Sequence, residues 1–165
     1  MILGPHLFSE QSARSLSMAP SFPSDLATSQ DVSSRMRRIG GKDTTPEIIV
    51  RRIVHSLGYR FRLHRRDLPG SPDLVFPSKR KAIWVHGCFW HRHVCATGQR
   101  RVRTHTAYWD EKFERTRLRD ARKESELRTL GWDTLTLWEC EVVQGNGLEQ
   151  RVIEFLGKWN AGKTA

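Results

Sequence analysis

Acidic residues are scarce here: 18 Asp and Glu stand against 28 Lys and Arg in 165 residues, a net charge of +10 and a pI near 10.3. So little negative charge in one domain points to a polyanionic partner, nucleic acid first. Long apolar runs are missing as well. None approaches the roughly 20 residues that cross a bilayer, and the N-terminus lacks the basic flank and apolar stretch of a secretory signal. A soluble, intracellular protein with no membrane partner is expected. Cysteine is sparse and odd in number. Three cannot all pair internally, and in a reducing compartment a cysteine-histidine cluster binds metal rather than forming disulfides. Charge is almost absent from the first thirty residues, which hold one Arg, one Glu and one Asp among Ser, Ala and Pro and show no sustained periodicity. Residues 1–30 are expected to be a disordered, dispensable extension or an over-long start, with Met18 and Met36 as rival starts. Their net charge of −1 leaves +11 for the remainder.

What is present is one domain, residues 31–160, with 161–165 as a flexible C-terminus; the length suffices for a sizeable core. Thr45-Pro46-Glu47 reads as a helix start, with a hydroxyl cap at Thr45, Pro at the first helical position and an acid in the first turn. Ile49, Val50, Ile53, Val54 and Leu57 form an apolar stripe that Gly58 ends. Tyr59, Phe61 and Leu63 then alternate with Arg60, Arg62 and His64, which predicts a half-buried strand with a basic outer face. From Ile48 to Arg66 there are six Arg and no acid. Two further strands are expected, Asp73 to Pro77 and Ala82 to His86, joined by Ser78-Lys79-Arg80-Lys81. A hairpin about that turn puts Pro77 opposite Ala82 and Asp73 directly opposite His86, with Leu74, Phe76, Ile83 and Val85 on the other, core face. A long helix from about Thr106 to Leu130 ends at Gly131, its charged residues forming a solvated face. Trp132 to Cys140 alternates as a strand, and Leu148 to Trp159 has an amphipathic helical pattern. The order describes a mixed α/β domain with one sheet.

The stretch HGCFWHRHVC, His86 to Cys95, concentrates three histidines, two of the three cysteines and a Phe-Trp pair. Cys88, Cys95 and Cys140 with one nearby histidine complete a closed, four-ligand structural zinc site. The spacing is looser than paired CxxC units, and buried apolar cysteines are the plain alternative; zinc is favoured because it uses every cysteine. The remaining imidazoles, His86 and His91, with the acid Asp73 and a polyanionic substrate, suggest phosphodiester hydrolysis. A hard ligand such as Asp73 suits Mg²⁺, and imidazole can activate the attacking water. Taken singly, Asp73 after Pro72 is a turn pair and each histidine an ordinary polar residue.

Pro69-Gly70-Ser71-Pro72-Asp73, the His86 to Cys95 stretch, Trp109-Asp110-Glu111-Lys112, Gly131-Trp132 and Trp138-Glu139-Cys140 occur in this order, and together they resemble the very short patch repair (Vsr) DNA mismatch endonucleases, from about Asp31 to Glu141. The resemblance implies a restriction-endonuclease-like fold, with a central mixed sheet flanked by helices and a structural zinc site. It also implies a strand nick beside a T:G mispair left by deamination of 5-methylcytosine. Asp73 then binds Mg²⁺ with the backbone carbonyl of Val85, His91 is the general base, His86 assists at the scissile phosphate, and Glu47 is the supporting acid. Zinc falls to Cys88, His93, Cys95 and Cys140. Phe89, Trp90 and Trp109 match side chains that wedge between base pairs; without the resemblance Phe89 and Trp90 read as core. Met36 and Lys112 match residues that read the mispair and its surroundings, but Thr116 stands where Asn is expected and Arg35 replaces a typical Asn. The resemblance further implies double-stranded DNA with a T:G mismatch as the substrate, and a monomer in the bacterial cytoplasm with mismatch-repair proteins as candidate partners is expected. The competing readings are a zinc-stabilised DNA-binding module and a restriction-type nuclease without mismatch preference.

Overall fold

A computed structural model describes residues 42–157. The expected extension 1–30, the C-terminus 161–165, Arg35 and Met36 lie outside the described residues.

Pro46 has no N–H to leave unpaired in a first turn, and helix α1 forms around it over Thr45–Ser56. The N-cap is Thr44, one residue earlier than expected, and its hydroxyl donates to Glu47 Oε1 at 2.7 Å instead of accepting from a backbone N–H. The expected strand from Tyr59 shrinks to β1, Arg62–Leu63, and Leu63 is 43% exposed. Tyr59 instead closes the helix end, its N–H donating to Val54 O at 3.2 Å, and its ring packs edge-on against Phe76. A strand at the sheet edge extends only as far as its neighbour offers backbone, and that neighbour, β2, is Leu74–Phe76.

Strand β3, Lys81–His86, pairs antiparallel with β2. The partners are Phe76 with Lys81 and Leu74 with Ile83, so Pro77 does not face Ala82 and Asp73 is not directly opposite His86. The cause is the connection: Pro77–Lys79 makes a 3-10 turn and Arg80 takes the left-handed conformation (φ 51°), which starts β3 one residue earlier and ends β2 one residue sooner. A register offset of two residues keeps every side chain on its expected face. Leu74, Phe76 and Ile83 therefore lie in one core, and Val75, Ala82 and Trp84 in the other.

Helix α2 runs Thr106–Thr129. Gly131, at φ +77°, ends it as expected, and the Arg80 guanidinium closes it by donating to the carbonyls of Leu130 and Gly131. Strand β4, Asp133–Trp138, lies parallel to β3, with His86 beside Trp138. The expected strand end at Cys140 is overturned: Glu139–Gln144 is a short helix, α3, and Cys140 sits in its first turn. Glu141 Oε2 accepts the Trp138 N–H at 3.1 Å, a carboxylate reaching back to the residue before the helix. Helix α4 spans Leu148–Leu156 with Gly157 at its C-terminal end; Trp159, where the expected helix closed, lies outside the described residues.

The four strands make one mixed sheet in the order β1, β2, β3, β4. On one face Val50 and Val54 of α1, Val142 of α3, and Leu148, Val152 and Leu156 of α4 pack on Leu74, Phe76, Ile83 and Leu137. On the other, Leu127 of α2 packs on Val75, Ala82 and Trp84 with Trp132. Each fully buried Val, Leu or Ile contributes about 1.5–3 kcal/mol. No helix among the described residues is long and apolar enough to cross a membrane. The layering fixes one consequence for the site. Parallel β3 and β4 bring the chain out at the same end, so Gly87 onward and Glu139 onward begin side by side.

Candidate active site and metal centre

That juxtaposition builds the first cluster. Ligand atoms of Cys88, His93, Cys95 and Cys140 all lie within 4.8 Å of one another. The Cys140 N–H points at Cys88 Sγ (3.4 Å), and Cys140 Sγ is 3.5 Å from His93 Nδ1. Glu139 Oε2 accepts the Cys88 N–H at 3.0 Å, pinning the loop to α3. All three cysteines are free thiols. The hydrogen bond with His93 pushes the Cys95 thiol down to about 6, while burial pushes Cys88 up to about 12. Such a group can hold a metal ion. Gly98 is part of its construction: a Cβ there would lie 2.0 Å from the His93 carbonyl oxygen. Gly98→Ala should therefore displace His93 and loosen metal retention by about tenfold or more, read as faster loss of bound metal to a chelator; retention equal to that of the parent protein would remove this role.

The second cluster lies where β3 ends. His86 and His91 stack with ring centroids 4.0 Å apart and planes 8° from parallel, and Trp138 sets its edge against both. Trp138 also stacks on His93, 4.4 Å away, so one indole separates the two clusters. Burial lowers both imidazoles, His86 to about 4. His91 Nε2 lies 3.5 Å from Asp120 Oδ2 on α2, and Arg119 holds that carboxylate through Nε at 2.7 Å and Nη2 at 3.1 Å. Asp120 was not legible in the sequence, where it belongs to the charged face of a long helix.

Asp73, just before β2, meets β3 through the Val85 N–H, which donates to Oδ2 at 2.8 Å. Burial pushes its carboxyl up to about 6. Asp73, His64, His86, Asp120, Lys42 and Lys123 line one cleft of about 300 Å³. The cleft brings Asp73 and His86 together, although the register expected to do so is not the one formed. Glu47, 4% exposed, accepts from the Asp43 N–H (3.0 Å), the Thr44 hydroxyl (2.7 Å) and Arg51 Nη2 (2.9 Å), a far fuller set than a first-turn carboxylate needs.

The expected base-pair wedge is a packed aromatic group. Phe89 sits edge-on to Trp90 (5.3 Å), Trp109 (5.9 Å) and Phe113 (5.1 Å). Phe89 and Trp90 are half-buried, but Trp109 is only 5% exposed. Lys112 Nζ lies over the rings of Trp90 and Trp109, at 5.4 and 5.1 Å. Thr116 is half-buried one turn along α2.

Comparison with known proteins accords with this arrangement. The family model described as DNA mismatch endonuclease Vsr matches residues 24–97. The chain is similar to the type II nicking enzyme V.XorIIP of Xanthomonas oryzae pv. oryzae, 49% identical over 121 residues, which cover 73% of this chain and 88% of that one. It is also similar to DNA mismatch endonuclease Vsr of Escherichia coli, 37% identical over 134 residues, covering 81% and 85%. With the type II nicking enzyme V.NmeAIP of Neisseria meningitidis the identity is 34% over 118 residues, covering 72% and 84%. Identity at this level over most of both chains means that this protein belongs to the Vsr family of DNA endonucleases, hydrolases acting on phosphodiester bonds.

Proposed function

We propose that this endonuclease nicks one strand of duplex DNA at T:G mispairs left by deamination of 5-methylcytosine, in a Mg²⁺-dependent hydrolysis that starts very short patch repair. The observation that carries the hydrolytic part is the cleft, where half-buried Asp73, just before β2, and His86, at the C-terminal end of β3, face one space, with His91 stacked on His86 and backed by Asp120. We take the mixed sheet with helices on both faces as a restriction-endonuclease-like fold.

Lys42, Arg119 and Lys123 line the cleft, but none of them pairs with Asp73. Among the described residues its contacts are the Val85 N–H and His64, and no Lys or Arg lies within 4.0 Å. A half-buried hard oxygen donor without a cation suits Mg²⁺, with Asp73 and the Val85 carbonyl as ligands. When bound, the ion supplies positive charge and Lewis acidity at the scissile phosphate. The protein's own part is proton handling and orientation. Asp120 opposite Nε2 fixes a proton on that nitrogen of His91 and leaves Nδ1 as the base. Water attacks phosphorus, its proton passes to His91 Nδ1, and the bond from phosphorus to the leaving ribose oxygen breaks as that oxygen takes a proton from solvent. His86, stacked on His91, donates a hydrogen bond to a phosphate oxygen. His91→Ala should slow nicking by about a hundredfold or more; an unchanged rate would place the base elsewhere.

The other cluster fits structural Zn²⁺. Ligands about 2.3 Å from a tetrahedral zinc stand about 3.8 Å apart, so a group already within 4.8 Å needs only a small closure.

Mismatch preference is assigned to wedge insertion by Phe89, Trp90 and Trp109, because opening a badly paired step costs less than opening a matched one. Trp109 must leave its packed position to take part. Trp90→Ala should weaken binding to T:G duplex more than to matched duplex, whereas Arg60→Ala, on the exposed basic surface, should weaken both alike. Equal losses from Trp90→Ala would make it a packing residue only. Lys112 and Thr116 stand one turn apart on α2 and are assigned to base contacts, with Met36. Thr in place of an amide forgoes a two-point contact that discriminates by about 1–3 kcal/mol, so a wider set of flanking sequences is expected. Thr116→Asn should narrow the nicking profile over a library of flanks around one T:G pair; an unchanged profile would refute that role.

A further inference from the structure

Strand β1 runs into a strained residue. His64 has φ +45°, the left-handed region that few residues other than glycine enter without strain. Its imidazole, 14% exposed, turns into the cleft that holds Asp73. Arg51 Nη2 lies 3.1 Å from its Nε2. A guanidinium can only donate, so Nε2 is the acceptor and the ring proton sits on Nδ1. That nitrogen lies 3.6 Å from Asp73 Oδ1, while Oδ2 of the same carboxylate accepts the Val85 N–H. Arg51 is itself anchored, by Asp43 at 2.5 Å and Glu47 at 2.9 Å. Asp43, Glu47 and His64 converge within 4.8 Å, as a cation site does, but the Arg51 guanidinium bonds to all three and is the resident cation.

We propose that His64 is a positioning residue for the Asp73 carboxylate: Arg51, held by Glu47, sets its tautomer, and its Nδ1–H faces Oδ1 across 3.6 Å and restrains that oxygen so that Asp73 meets a hard divalent cation already oriented. This rests on the reading of Asp73 as a metal ligand. It gives Glu47 a task as well, that of fixing the arginine behind His64. It also accounts for the backbone strain, since the left-handed conformation turns the imidazole inward from an exposed edge strand.

His64→Gly separates positioning from folding, because glycine adopts φ +45° without strain while the imidazole is lost. Full-length variants are compared by melting temperature, by Mn²⁺ binding followed through EPR, and by nicking rate at saturating metal. His64→Gly should melt no lower than the parent protein, bind Mn²⁺ about tenfold or more weaker, and nick about tenfold or more slowly. His64→Gln, whose amide can accept from Arg51 and donate to Asp73, should restore both to within about threefold. Parent-like Mn²⁺ binding and nicking in His64→Gly would overturn the proposal, as would a fall in melting temperature matching the loss, or failure of glutamine to restore it. Asp73→Ala is the separate control. If it binds Mn²⁺ as the parent does, the metal-ligand reading fails first and the positioning role falls with it.

Discussion

Asp73→Ala should slow nicking of a T:G duplex by about a hundredfold or more while affinity for the same duplex holds or rises. The rate falls because removing a preorganised charged group from a reacting centre costs about that much. The affinity is expected not to fall because Asp73 is negative and, in the proposed role, faces the scissile phosphate, so its loss would relieve repulsion in a protein of net charge +10. Core packing is little disturbed, since the side chain lies at the cleft wall and its one short contact is the Val85 N–H. Rates are read in single turnover with enzyme in excess and affinity by titration of labelled duplex. A parent-like rate, or a rate loss explained wholly by weaker binding, would remove Asp73 from the chemistry.

Cys140→Ala should act on folding. Cys140 stands in the first turn of α3, Cys88 just beyond β3, and His93 and Cys95 in the loop that β3 feeds. A metal shared among them would clamp three pieces of chain that carry little apolar core of their own; Cys88 is the only one of the four residues that is fully buried. Binding free energy at such a site is folding free energy. Loss of one ligand should cost about 4 kcal/mol and lower the melting temperature by about 10 °C or more. Because Trp138 stacks on His93 and edges His86 and His91, these two imidazoles should lose their order with it. Zinc content and thermal denaturation are the measurements. A stable, fully active Cys140→Ala protein with no bound metal would defeat the assignment.

Much of this was legible in the sequence, for identifiable reasons. The start of α1 and the end of α2 follow from Pro46, whose ring fixes φ, and from Gly131, which takes φ +77° without the strain that a side chain would bring. The thiol cluster could be named because each cysteine had to be placed somewhere. The β2 to β3 register was not legible, since Ser78-Lys79-Arg80-Lys81 contains no glycine and nothing marks Arg80 as the residue that turns left-handed. Cys140 read as strand because the alternation of β4 runs on past the point where Glu141 draws the backbone into a helix. Asp120 and His64 were missed for a different reason. Both belong to stretches rich in charge, and pattern alone does not say which charged residue on a helix, or which on an edge strand, faces a cleft that distant segments complete. Family resemblance gave Glu47 its place but not its contacts, and it gave Trp109 a DNA-facing role without showing that the side chain packs at 5% exposure.

The central claim is a Mg²⁺-dependent nick specific for T:G mispairs. It is tested most directly with end-labelled duplexes differing only at one T:G or T:A pair, incubated with the purified protein with and without Mg²⁺. A nick in the T-containing strand of the T:G duplex, dependent on Mg²⁺ and far slower on the matched duplex, is the expected result. Equal nicking of both duplexes, or tight DNA binding with no nick under any of the four conditions, would contradict it.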